Sequence, residues 1–472
     1  MNQITFSHLV PQSIDFSGES LAPASFTSLI DVPTLWNQSP DSLRKGIWPR
    51  SAVLWFAAFW VALFIIRPWE KMFPTLGPLH IARIYALIMI GAILLFGATR
   101  LYLSSFQTRS VILFILALML SSVLSFDFAA AWEDLYVYLT LVAFYFVLLS
   151  VVQTPYQLLF MVTCYILAQA LYLAKAQVEF FIFNDHITAM GVRRMVGIDI
   201  TFADPNAVAE ATVISLPLAL ALWRARRVFT ETWPNSWRSW FSRGLLLYFW
   251  LAMSSVILTH SRAGMLGFAV FVFLVAAWQK NLGKSLRNIS YAAAFLLMVW
   301  FLMPSEYQDR LSTVWNPEAA RADARASAEG RIQGMQAGLR MFQDYPFCGV
   351  GLGNFIAYRV TNIDGAPLLA HNLLGQMLGE TGLIGAGTFL LMIFAVLWNC
   401  RQTIRLTHDH PVPYMELYAQ LASAFMQAIV LLVFFGLSLH NMYRFQWLWI
   451  AAFSLLLKEF AQRTAWGYKA YS

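Results

Sequence analysis

Charge is what this chain has least of. Only 12% of its 472 residues are Asp, Glu, Lys or Arg, against 59% hydrophobic. Soluble globular domains carry about 25% charged residues, so a water-soluble core of this size is excluded. Cysteine is nearly absent as well. Cys164 falls in an apolar run, Cys348 in a long polar segment and Cys400 beyond another apolar run. That is too few and too scattered for a disulfide framework or a metal-ligand spacing. No tandem repeat is visible, and no segment is long enough to fold as a separate soluble domain. The first 45 or so residues are Ser- and Pro-rich and lack a cationic start, apolar run and small-residue cleavage site. They do not read as a signal peptide; a loosely ordered cytoplasmic tail over 1–47 is expected.

What is present is a succession of apolar runs. A bilayer-spanning helix needs about 20 mostly apolar residues. Twelve candidates centre on 52–67, 82–99, 110–126, 135–152, 156–175, 206–223, 244–259, 264–279, 289–303, 382–399, 415–437 and 444–458. The predicted fold is an all-α integral membrane protein of about 12 transmembrane helices. Helices 1–9 lie in 48–303, a long extracytoplasmic catalytic loop in 304–381, helices 10–12 in 382–460 and a cytoplasmic tail in 461–472. With the N-terminus inside, 18 Lys and Arg fall in inside segments and 4 in short outside loops (Arg67, Lys71, Arg262, Arg444). This bias predicts an N-in, C-in orientation. It also accounts for the net charge of +7 without nucleic acid.

Under that topology three polar clusters land on one outer face: RRMVGIDITFADPN before the sixth run, HSRAG between the seventh and eighth, and the 304–381 segment. In the first, Arg193 and Arg194 either snorkel to headgroups or bind an anion. Asp204 and Pro205 suit an N-cap and a first helical position. In the second, Arg262 is either an interfacial anchor or a cation facing a polar cavity. The third holds Arg331, Arg340, three alternate glycines at 349, 351 and 353, and then His371-Asn372 and Glu380. The glycines lack the strand–helix context of a dinucleotide fingerprint. His371 is either a structural histidine or a functional one.

Taken together, Arg194, Gly197 and Asp204 to Asn206, then Ser261 to Gly264, then Arg331 through PFCGVGLGNF, then His371 to Gly385 make a pattern. It resembles the O-antigen ligase and O-antigen polymerase superfamily of bacterial membrane glycosyltransferases over roughly residues 50–460. The resemblance implies a GT-C-like enzyme of the inner membrane, with its active site on the periplasmic face. The implied donor is a glycan on undecaprenyl diphosphate. The implied acceptor is a sugar hydroxyl of lipid A–core in ligases, or of another lipid-linked repeat unit in O-antigen or exopolysaccharide polymerases. It implies that Arg194 and Arg262 hold the diphosphate and that His371 activates the acceptor. Arg331 joins as a third cation for the diphosphate, with Arg193, Asn372 and Glu380 in support. Membrane lipids are expected partners.

The residue types suit that chemistry. Guanidiniums match phosphate oxygens bidentately and stay charged. No D-x-D or paired-carboxylate motif occurs in the outer loops, so no metal and no cofactor are expected. A neutral imidazole can take the proton of an attacking hydroxyl, and direct attack predicts inversion at the anomeric carbon. A transporter is the alternative from another class, since twelve spans are common there. Transporters, however, place charge near mid-membrane, and Glu210 is the conspicuous acid within a run.

Overall fold

A computed structural model describes residues 51–67, 73, 75, 81–96, 100–189, 191–199, 203–231, 233–278, 281–302, 308, 312, 322–409 and 413–471. The expected N-terminal tail lies outside the described residues, as do positions 304–321 of the expected loop apart from 308 and 312.

Five helices come first: α1 Ala52–Ile66, α2 Ile81–Phe96, α3 Phe106–Val123, α4 Phe128–Val151 and α5 Pro155–Phe181. A two-stranded antiparallel hairpin follows, β1 His186–Ala189 and β2 Val192–Met195. Then come α6 Pro205–Phe229, α7 Asn235–Leu258, α8 Arg262–Ala277 and α9 Leu282–Leu302. The last five are α10 Ala322–Asp344, α11 Phe355–Asn362, α12 Leu373–Asp409, α13 Pro413–Gly436 and α14 Phe445–Tyr471.

Each of the twelve apolar runs overlaps one of these helices. Seven (α3 to α7, α12 and α13) are long and apolar enough to cross a membrane, and α1, α2 and α8 carry shorter apolar stretches. The chain is a multi-pass, helical membrane protein. Leu95, Leu247, Trp250 and Phe301 are exposed on its flanks, a surface that suits hydrocarbon and not water. Among the spans α6 is the most buried and α7 the least, so α6 runs through the middle of the bundle.

Two segments between or beyond the apolar runs are helical as well. The 322–381 stretch is largely helical, made of α10, α11 and the first turns of α12, and its Ala337, Met341, Val350, Phe355, Tyr358 and Ala370 pack into a small core of their own. The expected tail at 461–472 is largely the end of α14, which runs on to Tyr471. The boundary between the fourth and fifth runs is sharp for a local reason. Thr154 and Gln157 form a reciprocal capping box, and Pro155 opens α5 where its missing N–H costs nothing.

α12 is broken at Gly382 (φ 60°, ψ −160°). The break frees two N–H and two C=O groups in mid-helix, and residues 346–351 satisfy all four. Leu383 and Ile384 donate to the Pro346 and Phe347 carbonyls at 2.8 and 3.1 Å, while Val350 and Gly351 donate to the Gly379 and Glu380 carbonyls at 2.9 and 3.0 Å. The glycine loop is thus a splice that sets the angle between the two halves of α12. A Cβ at Gly382 would lie 2.5 Å from the Phe347 carbonyl carbon and would add left-handed strain of about 1–3 kcal/mol. Gly382→Ala is therefore expected to lower the thermal unfolding midpoint of the detergent-solubilised protein; an unchanged midpoint would contradict the splice.

Candidate active site

The β-hairpin sends adjacent side chains to opposite faces. Arg194 turns inward and is buried, while Arg193 is exposed over the Phe180 ring, 5.2 Å from its centroid. Arg194 Nε donates to the Thr259 carbonyl (3.0 Å) and Nη2 to Asn206 Oδ1 (3.1 Å). Ser261 Oγ donates to the same Asn206 oxygen (2.8 Å). Asp204 caps α6 by accepting from Asn206 N (3.0 Å), with Pro205 in the first turn, and Ser261 caps α8. One arginine therefore ties together the hairpin and the N-termini of α6 and α8. Arg262 is the first residue of α8, at the same junction.

The second half of the site is carried by α10 and the start of α12. Gly334 and Gly338 form a Cβ-free face one turn apart, where an added Cβ would lie 2.3 Å from the Ala370 and Gly375 carbonyl oxygens respectively. That close approach brings Arg331 beside His371. Asn372 Nδ2 donates to the Arg331 and Ala370 carbonyls (3.3 and 2.8 Å), and its Oδ1 accepts from Gly375 N (2.6 Å), as an N-cap side chain does. His371 itself adopts a left-handed backbone (φ 51°), and its ring hydrogen-bonds to no described residue. The approach to it is pinned by Arg359, whose fully buried guanidinium donates through Nε and Nη2 to Asp364 (2.9 and 2.7 Å) and through Nη1 to the Leu368 carbonyl (3.3 Å).

The turn from α13 to α14 closes the site. Arg331 Nε donates to the Ser438 carbonyl (3.3 Å), and the His440 ring meets that of His371 edge-on, with centroids 5.6 Å apart. Asn441 Nδ2 donates to Glu210 Oε1 (2.7 Å) and the Leu432 carbonyl (2.9 Å). Glu210, the acid within a span, is thus a partnered anchor for this turn. Glu380 is buried behind it and accepts from the Tyr443 hydroxyl (2.8 Å) and Gln376 Nε2 (3.5 Å).

Electrostatics give the cluster its character. Burial lowers the pKa of Arg194; Asp204 opposes this, and the nearby Arg262 and Arg331 guanidiniums add to it. Burial and then Arg262 lower Arg331, again against Asp204. Burial pushes His371 below its ordinary 6.5; Arg331 and Arg359 add to the depression and Asp204 opposes it. Burial, then His371 and Arg444, take His440 down to about 4. Arg194 and Arg331 therefore both lie near Arg262, Arg331 also lies near His371, and Asp204 is an anion common to Arg194, Arg331 and His371. The N-termini of α6, α8 and α12 open at the same place, and their dipoles add to the attraction for an anion.

Arg194, Arg262, Arg331, His371 and Asn372 are brought together. Arg193 is turned away from Arg194, and Glu380 belongs to the hydrogen-bonded layer behind the site. His440, Arg444 and the anchoring role of Asn206 escaped sequence reasoning, although the His-Asn pair at 440–441 repeats the one at 371–372. Among the described residues no three of His, Cys, Asp and Glu group as metal ligands would.

Residues 247–390 match the family model described as O-Antigen ligase. The match takes in Arg262, Arg331, His371, Asn372 and Glu380, while the hairpin carrying Arg194 precedes it. No curated protein matches the chain.

Proposed function

We propose, for a membrane chain whose residues 247–390 match the O-antigen ligase family model, a glycosyltransferase that moves a glycan from undecaprenyl diphosphate to a hydroxyl of lipid A–core at the periplasmic face. The observation that supports this reading is a run of guanidiniums, Arg194 near Arg262 and Arg331, with Arg331 in turn beside the His371 ring, whose nitrogens hydrogen-bond to no described residue. Three guanidiniums from three separate elements suit a diphosphate, and the imidazole beside them suits a hydroxyl that must lose its proton.

The chemistry runs in one displacement. A ring nitrogen of His371 accepts the acceptor hydroxyl proton as that oxygen bonds to the anomeric carbon. The bond from that carbon to the diphosphate oxygen breaks, and its electron pair leaves with the diphosphate. Attack from the far side inverts the centre. The arginines stabilise charge that grows on the leaving oxygen in a site already organised for it, in the role a divalent metal fills elsewhere. The depressed histidine pKa keeps the base neutral at pH 7.

Purified protein in nanodiscs, given a prenyl-diphosphate-linked oligosaccharide and lipid A–core in the presence of chelator, should form a conjugate of retarded gel mobility. Lengthening of the lipid-linked glycan without lipid A–core would reassign it as a polymerase. Movement of intact glycolipid between leaflets with no bond formed would reassign it as a transporter.

The pH profile offers a signed prediction. Neutral His371 is the competent form, so activity should fall as pH drops through a pKa lying below 6.5. Arg331→Gln removes a cation that opposes the imidazolium, so the acid limb of kcat/KM should move up. Asp204→Asn keeps a capping side chain but removes the anion that favours the imidazolium, so the limb should move down. Limbs that do not move, or move the other way, would show that His371 does not set the profile.

A further inference from the structure

The dipeptide His-Asn occurs twice, at 371–372 and 440–441, and the two copies are used alike. In each, the asparagine side chain is buried and bonded to its surroundings, and the histidine ring is turned toward the other histidine. The rings meet at 5.6 Å between centroids and an interplanar angle of 69°. His440 Nδ1 is buried without a hydrogen-bond partner among the described residues, so its ring is held by packing.

We propose that His440 is a positioning residue for the reacting imidazole, a fixed aromatic wall that sets the ring plane of His371; this rests on the reading of His371 as the base. His440 is fixed because its turn is held from several elements at once. The Ser438 carbonyl accepts from Arg331 on α10 (3.3 Å) and Met442 N donates to Gln376 Oε1 on α12 (3.3 Å). Asn441 donates to Glu210 on α6 and its carbonyl accepts from Trp447 Nε1 on α14 (2.9 Å). His371 has the opposite character. It sits at a left-handed backbone position and its ring hydrogen-bonds to no described residue, so the edge-to-face contact is what orients it. Edge-to-face pairing is the preferred geometry for two such rings. The groups around His440 are His371, Arg444 and Asp204; burial, His371 and Arg444 against the opposing Asp204 bring its pKa down to about 4. A neutral aromatic neighbour also tolerates the imidazolium formed when His371 takes its proton, as a second cation would not.

The test uses the full-length protein in nanodiscs with a prenyl-diphosphate-linked oligosaccharide and lipid A–core as probes. His440→Ala is expected to lower kcat by about 10²-fold, the scale of a small misplacement of a reacting group, with the donor KM unchanged. His440→Phe, which keeps a neutral aromatic edge, should restore kcat to within about threefold of wild type with the same acid limb. Wild-type turnover in His440→Ala would overturn the proposal. So would His440→Phe as impaired as His440→Ala, since a ring nitrogen would then be the active element. Acylation of His371 by diethyl pyrocarbonate, followed by mass spectrometry, reads ring freedom without substrate. It should quicken in His440→Ala and stay at the wild-type rate in His440→Phe; equal rates in all three would overturn the wall. Should His371→Ala retain turnover, the base assignment fails, and the acylation rates still decide whether His440 fixes the ring.

Discussion

His371→Ala is expected to lower kcat by about 10²–10⁴-fold, the range that a positioned general base supplies, while binding of the lipid-linked donor is preserved. The separation follows from how the site is built. The arginines are held on the hairpin, α8 and α10, whereas His371 stands at the head of α12 with its ring nitrogens bonded to no described residue. Removing the imidazole leaves Asn372 to cap the helix, so the local fold should survive. Single-turnover transfer with donor binding measured separately distinguishes the cases. Loss of binding together with rate would make His371 a donor ligand, and near-normal turnover would remove it from the chemistry. His371→Gln is expected to fail like alanine, because an amide can hydrogen-bond the hydroxyl but cannot hold its proton at neutral pH.

Much of this arrangement was legible in the chain. The apolar runs announce helices because a bilayer demands long uncharged segments. The pair Asp204-Pro205 marks a helix start through capping chemistry that needs no tertiary context. Charge in an otherwise uncharged chain pointed to Arg194, Arg262 and Arg331, and the family resemblance pointed to His371. What stayed hidden depends on partners distant in sequence. The hairpin parts Arg193 from Arg194 by strand alternation, and that becomes decisive only once Thr259 and Asn206 are near enough to hold one of them. The alternate glycines exclude a dinucleotide fingerprint but do not announce their use: the segment at 349 and 351 is consumed in satisfying the broken backbone at Gly382, a demand set some 30 residues later. His440 sits in the turn between α13 and α14 with no motif around it except the repeated His-Asn. Glu210 reads as a costly acid until Asn441, 231 residues away, supplies its partner.

Arg194→Ala is the second substitution expected to have a large effect, and it should act on the donor. A charge-assisted contact to phosphate is worth roughly 1.5–3 kcal/mol, so kcat/KM should fall by about 10- to 150-fold. The loss should exceed that from an ordinary surface arginine, because Arg194 also joins β2 to the caps of α6 and α8 through Thr259 and Asn206. Lysine should not rescue it. A single ammonium cannot reproduce donors fixed along a planar fork, where Nε serves one partner and Nη2 another. Asn206→Ala tests the scaffold alone: it removes the acceptor shared by Arg194 and Ser261 without removing a cation. The two losses should be less than additive in a double-mutant cycle, because both work by holding one guanidinium in place. Additive losses would mean that Arg194 meets the diphosphate unaided by Asn206, and an Arg194→Ala protein with normal donor affinity would put the leaving group elsewhere in the molecule.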